Sequence, residues 1–136
     1  MRVYFDSSAL IKRVIAEEES GDLVDFLDTR HSEGDLLVSS SLAWIEVSRA
    51  VLARVKSPTG AGNLIDAAMS GVDERLLTSD VVSVARRIEP LVLRSLDAIH
   101  LATAVLIDVD LVVTYDDRLA DACRRNSLAV GSPGRN

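Results

Sequence analysis

Short runs of β-branched and aliphatic residues alternate with longer amphipathic stretches along this chain, and that alternation most limits what it can fold into. Residues 2–5 (Arg-Val-Tyr-Phe), 36–38 (Leu-Leu-Val), 75–77 (Arg-Leu-Leu), 111–113 (Leu-Val-Val) and 128–130 (Leu-Ala-Val) read as five strands. Between them, apolar residues recur at helical spacing. Ala43, Val47, Ala50 and Val51 define the buried stripe of a helix from about 41 to 56. Other helices are expected over 7–16, 18–30, 58–70, from 79 towards Pro90, from 95 or 97, and from 116 or 117 to about 125. Ser57-Pro58 suits a cap followed by a first helical position. Strands separated by helices imply a parallel sheet covered on both faces. Residues 1–130 read as one domain, and 131–136 as a flexible C-terminal tail.

Composition narrows the function. The chain has 136 residues, 48% of them hydrophobic, but only two Phe, two Tyr and one Trp. Leu, Val, Ile and Ala must therefore fill the core, and a surface that grips nucleic acid chiefly by stacking is disfavoured. Cys123 stands alone, so no intrachain disulfide forms. It reads as a buried, inert thiol in a reducing cytoplasm. No signal peptide opens the chain, and no apolar run nears the roughly 20 residues of a membrane helix. The net charge of −6 opposes a broad basic footprint for nucleic acid. It leaves room for a substrate approaching through cations and a local basic rim, or for a basic protein partner.

Four acids stand at informative places: Asp6 after the first strand, Glu46 and Asp97 within helical stretches, and Asp116 after the fourth strand. An acid just past a buried strand points into the crevice where open α/β sheets hold ligands. Carboxylates gathered there repel one another unless cations bind, and hard oxygen ligands suit Mg²⁺ or Mn²⁺. The expected chemistry is metal-assisted attack on a phosphate ester. Each acid has a plainer reading. Asp6 and Asp116 could simply cap helices, Asp97 could complement a helix dipole, and Glu46 could pair with Arg49. Asp117 competes with Asp116 for the fourth place.

The motifs Val3-Tyr-Phe-Asp6-Ser-Ser-Ala-Leu10, Ser41-Leu-Ala-Trp-Ile-Glu46-Val, Leu96-Asp97-Ala-Ile-His-Leu-Ala-Thr-Ala104 and Val113-Thr114-Tyr-Asp116-Asp-Arg-Leu119 together resemble those of PIN domains. More narrowly, they resemble the VapC ribonuclease toxins of VapBC toxin–antitoxin pairs, from Val3 to about Val130. The resemblance implies a PIN-like three-layer α/β/α sandwich with a central five-stranded parallel sheet. It also implies Mg²⁺-dependent RNA cleavage, with Mn²⁺ as a substitute, at a catalytic and metal-binding set of Asp6, Glu46, Asp97 and Asp116. A basic VapB-type antitoxin and a homodimer are the implied partners, with no direct DNA binding by this chain. Rival readings are a noncatalytic PIN-like interaction domain and an Asp-dependent phosphatase or phospho-acceptor. The phosphatase pattern wants an acid at position 8, where this chain has Ser8.

Around the acids, Ser7 and Thr114 are expected to orient a carboxylate or serve as turn residues. His100 reads as a satisfied structural histidine, and Trp44 as a packing residue. Lys12, Arg13 and Arg118 are candidates for phosphate contacts. Arg86-Arg87 and Arg124-Arg125 read as exposed helix faces.

Overall fold

The computed structural model describes residues 1–135. Five strands form one parallel sheet: β1 (Arg2–Phe5), β2 (Leu36–Ser40), β3 (Asp73–Arg75), β4 (Leu111–Val113) and β5 (Val130–Gly131). Their order across the sheet is β3-β2-β1-β4-β5. Central β1 pairs with β2 on one side and β4 on the other, Phe5 lying opposite Val113.

The strand period of two separates the cores. Val3 and Phe5 face a cluster with Leu10, Leu23, Val47 and Val51, supplied by α1 (Ser7–Ile11), α2 (Ser20–Ser32), α3 (Ser41–Arg54) and α4 (Pro58–Met69). Tyr4 points the opposite way, among Val38, Leu101, Val112 and Leu119. That second layer uses α6 (Ser95–Leu106) and α7 (Asp117–Arg125), with α5 (Ser79–Ala85) packed against α6. The result is the expected three-layer α/β/α arrangement. Fully buried side chains such as Leu10 and Leu101 each contribute on the order of 2 kcal/mol by leaving water.

Local signals explain most element starts. The Ser40 hydroxyl accepts from the Leu42 amide at the start of α3, and the Ser57 hydroxyl accepts from Gly60 with Pro58 in the first turn of α4. These caps satisfy amides that have no partner inside the helix. No helix among the described residues is long and apolar enough to cross a membrane.

Four parts of the chain depart from the sequence expectation; one is the fifth strand, Val130–Gly131 where 128–130 was expected. The third strand is Asp73–Arg75, and Leu76 and Leu77 are exposed just beyond it. As an edge strand it needs only β2 for its hydrogen bonds, so it is polar, and the apolar Leu pair misled the reading. Helix α1 stops at Ile11 instead of running to 16, and turns follow. From Gly131, read as the start of a free tail, the chain is tied down through Arg135. Gly131 pairs with Val113, Ser132 Oγ donates to the Thr114 carbonyl, and Tyr115 donates its hydroxyl proton to the Pro133 carbonyl. Arg135 donates to the Tyr115 carbonyl and to Glu19.

Candidate active site

The chain builds β1, β2 and β3 outward in one direction, then returns to lay β4 and β5 on the other side of β1. The switch point therefore lies between β1 and β4, where crevices open at the carboxyl ends of open α/β sheets. Asp6 directly follows β1, and Thr114 directly follows β4. A cleft of about 330 Å³ opens there, lined by all four acids of the sequence analysis together with Arg94 and His100.

Asp6 is 3% exposed and held from three sides. Its Oδ1 accepts from Ser8 Oγ at 2.7 Å and from the Ala9 amide at 3.1 Å, while Oδ2 accepts from Thr114 Oγ1 at 2.5 Å. The Ala9 bond makes Asp6 the N-cap of α1, so a residue that lines the cleft also caps a helix. Burial raises its pKa despite these donors and the nearby His100. Removal from water outweighs everything that favours the charged form.

The serine that orients Asp6 is Ser8, not Ser7. Ser8 also accepts from the Tyr115 amide at 3.0 Å, stitching β1's end to β4's end. Both serines follow Asp6, and nothing in the sequence separates them until the turn into α1 is set. Thr114 serves as expected. Besides holding Asp6, it accepts from the Asp116 amide at 3.0 Å.

Asp116 caps α7, its Oδ1 accepting from the amides of Arg118 and Leu119 at 2.9 and 3.0 Å. Asp117 lies outside the cleft lining, its side chain 94% exposed and 3.5 Å from Arg135. The position facing the other acids is that of Asp116.

Glu46 and Asp97 reach the cleft from α3 and α6. Glu46 Oε1 lies 2.7 Å from His100 Nε2, and His100 Nδ1 lies 2.6 Å from the Tyr4 hydroxyl. The expected alternative for Glu46, a pair with Arg49, does not occur among the described ion pairs. Asp97 sits in the first turn of α6, and its buried Oδ2 has no hydrogen-bond partner. Burial, and next the charge of Asp116, raise its pKa.

Arg94, which the sequence reading passed over, offers the nearest compensation. Its guanidinium lies 3.6 Å from Asp97 Oδ2 and 3.7 Å from Asp116 Oδ2, both too long for hydrogen bonds. Its side chain is 63% exposed. As placed, no three acidic, histidine or cysteine side chains among the described residues close around a common point tightly enough to hold an ion. The donor set nevertheless suits a hard divalent cation: carboxylate oxygens throughout, one of them buried and unpaired.

The basic candidates divide. Lys12 is 5% exposed and bound to Glu17 at 2.9 Å and Glu19 at 2.8 Å, so it holds the fold and does not reach for phosphate. Glu19, bonded to Lys12 and Arg135, is drawn down to a pKa of about 2. Arg13 donates to the carbonyls of Ala68 and Ser70, fastening the end of α4. Arg118 is exposed and lies outside the cleft lining. Trp44 packs against the larger core, and buried Cys123 is pushed up to about 12, an inert thiol.

Comparison with known proteins matches this sequence to a family. The model of the PIN domain matches residues 3–125. "Ribonuclease VapC46" of Mycobacterium tuberculosis is 42% identical over 133 residues, covering 96% of this chain and 97% of that protein. "Ribonuclease VapC47" of the same species is 40% identical, covering 97% of each. Among solved structures, VapBC2 from Rickettsia felis bound to a promoter DNA fragment superposes with a TM-score of 0.76 at 12% identity, over 96% of this chain and 98% of that one. The M. tuberculosis toxin VapC20, described as cleaving the sarcin-ricin loop, gives 0.71 at 13% identity, over 88% of this chain and 94% of its own. At such low identities these two structures bear on the fold alone.

Proposed function

The chain belongs to the PIN domain family, and on that premise we propose that it is a divalent-metal-dependent endoribonuclease, the toxin of a VapBC-type pair acting in the cytoplasm. The observation that carries this reading is the meeting of Asp6, Glu46, Asp97 and Asp116 in one cleft, in a chain about 40% identical over nearly its whole length to proteins named ribonucleases.

Asp6, Glu46, Asp97 and Asp116 are the residues that would hold Mg²⁺, or Mn²⁺ in its place. When bound, the cation makes a water more acidic and neutralises charge on the phosphate oxygens. The protein's own part is placement. Ser8 and Thr114 fix the plane of the Asp6 carboxylate. The Asp116 carboxylate is set by two amides of α7. Arg94 lines the cleft with a largely exposed side chain, placed so that its guanidinium would meet a non-bridging phosphate oxygen of an incoming strand. In-line attack of water breaks the bond to the 3′ oxygen and leaves a 5′-phosphate and a 3′-hydroxyl.

The partners follow from charge. A cleft rich in carboxylates, in a chain of net charge −6, suits a basic antitoxin segment that sets Arg against the acids. A homodimer completes the proposal.

The test is cleavage of total cellular RNA by antitoxin-free protein with Mg²⁺ or Mn²⁺, with EDTA, and by Asp97→Asn, which keeps shape and removes charge. Discrete cuts that need the metal and vanish in the variant are the expected result. Cleavage at the wild-type rate by Asp97→Asn removes that residue from the essential set. A folded, metal-binding protein that cuts no RNA in a broad panel overturns the enzyme reading.

A further inference from the structure

We infer that His100 is a positioning residue for Glu46, locked by Tyr4 into the tautomer that carries its proton on Nε2. The inference rests on the ribonuclease reading in one respect, that Glu46 belongs to the cation-binding set.

For the neutral ring, the contacts select one tautomer. His100 is 2% exposed, and both of its ring nitrogens have short contacts, 2.6 Å to the Tyr4 hydroxyl and 2.7 Å to Glu46. A carboxylate offers only acceptors, so the ring must donate to it from Nε2. In a neutral imidazole the other nitrogen is then a bare lone pair. The Tyr4 hydroxyl lies on that side and supplies the donor. The opposite tautomer would press an imidazole lone pair against a carboxylate oxygen at 2.7 Å. Tyr4 is fully buried, and its ring meets the imidazole edge-on at 5.8 Å between centroids, so neither partner can turn away.

A histidine buried only for packing needs any two partners. This one joins three elements that carry or lead into the acids. Tyr4 is in β1, two residues before Asp6, and His100 is in α6, three residues after Asp97. Its acceptor is the α3 acid itself. Glu46 has three rotatable bonds and a side chain 26% exposed, so without an anchor it would spread over many rotamers. The bond to His100 takes up Oε1 and aims the carboxylate. Residues that orient a metal-binding side chain in this way typically change metal affinity or activity by about 10–100-fold when removed.

Two measurements test this on the full-length, metal-stripped protein. In the first, the ¹⁵N shifts and ring couplings of His100 are read at about pH 8. A proton on Nε2 and none on Nδ1 is expected, and a protonated Nδ1 overturns the inference. In the second, Mn²⁺ affinity is measured by calorimetry for wild type, His100→Leu, His100→Gln and Tyr4→Phe, with unfolding curves alongside. His100→Leu should weaken binding by about 10–100-fold, and Tyr4→Phe by about 10-fold. His100→Gln, whose amide can still donate to Glu46, should stay within a few-fold of wild type. Folded His100→Leu and Tyr4→Phe proteins that bind Mn²⁺ like wild type overturn it. Tyr4→Phe removes one oxygen and keeps the ring, so it decides the matter if His100→Leu does not fold. Wild type that neither binds Mn²⁺ nor cuts RNA counts against the ribonuclease reading instead, and the tautomer measurement stands apart from that outcome.

Discussion

Replacing Thr114 with Val removes a hydroxyl and little volume, so it isolates what that hydroxyl does for Asp6. Thr114 is fully buried, and its Oγ1 is the donor to Asp6 Oδ2. The other two donors to Asp6 both go to Oδ1, so Thr114→Val leaves Oδ2 bare in a dry site. A hydrogen bond to a charged acceptor is worth about 1.5–3 kcal/mol. The Asp116 amide also loses its acceptor. That site is partly exposed, so water softens the loss to about 1 kcal/mol. The sum is about 3 kcal/mol, which for a chain of this size lowers Tm by about 12 °C. Thermal or urea unfolding of the metal-free protein at neutral pH measures it. The same change made in an Asp6→Asn background loses only a neutral bond in place of the charge-assisted one and should cost about 2 kcal/mol, giving a coupling of about 1 kcal/mol. At a pH low enough to protonate Asp6, the cost in the parent should shrink towards the neutral value. A cost below about 1 kcal/mol at neutral pH, or an equal cost in both backgrounds, would refute the claim that Thr114 holds a buried charge.

Two further outcomes follow from the same charges. The folded-state pKa values of Asp6 and Asp97 are raised by burial. Each therefore favours the native state most below the ordinary carboxylate pKa, and that contribution is lost as pH rises through the folded values. Subtracting the Tm-versus-pH curve of Asp6→Asn/Asp97→Asn from that of metal-free wild type should give a difference that falls with rising pH and flattens with Mn²⁺. A flat metal-free difference defeats the prediction. Arg94 lies near two of the acids at 3.6 and 3.7 Å on a largely exposed side chain, so its two loose pairs total about 1 kcal/mol. Arg94→Gln should bind Mn²⁺ about 5-fold more tightly while RNA cleavage slows. Unchanged affinity by calorimetry would mean that the arginine does not compete with the cation.

The sequence made the centre of the sheet legible because its three inner strands, β1, β2 and β4, are signalled by apolar residues that bury. Edge strand β3, Asp73–Arg75, carries no such signal, and the exposed Leu76-Leu77 supplied a false one. The four acids were legible because each stands beside an element boundary or a helical stripe whose direction periodicity fixes. Their supports were not. Choosing Ser8 over Ser7 depends on the turn angle into α1. Lys12, adjacent to a site motif, looked like a phosphate ligand until α1 ended at Ile11 and folded it onto Glu17 and Glu19. Arg94 and His100 act through partners far along the chain, such as Asp116 and Tyr4, and no local pattern announces such pairs.

The bond between Asp6 and Thr114 joins residues 108 positions apart, across the first and fourth strands. Time enters through that separation. A nascent chain presents Asp6 early, with Glu46 next and Asp97 later, but β1 has no partner on its other side until β4 leaves the ribosome. Contacts so distant in sequence form late and together. Every intermediate length of the chain is therefore an incomplete cleft, its acids scattered. The cleft lined by Asp6 and Asp116 is thus complete only when nearly the whole chain has been delivered.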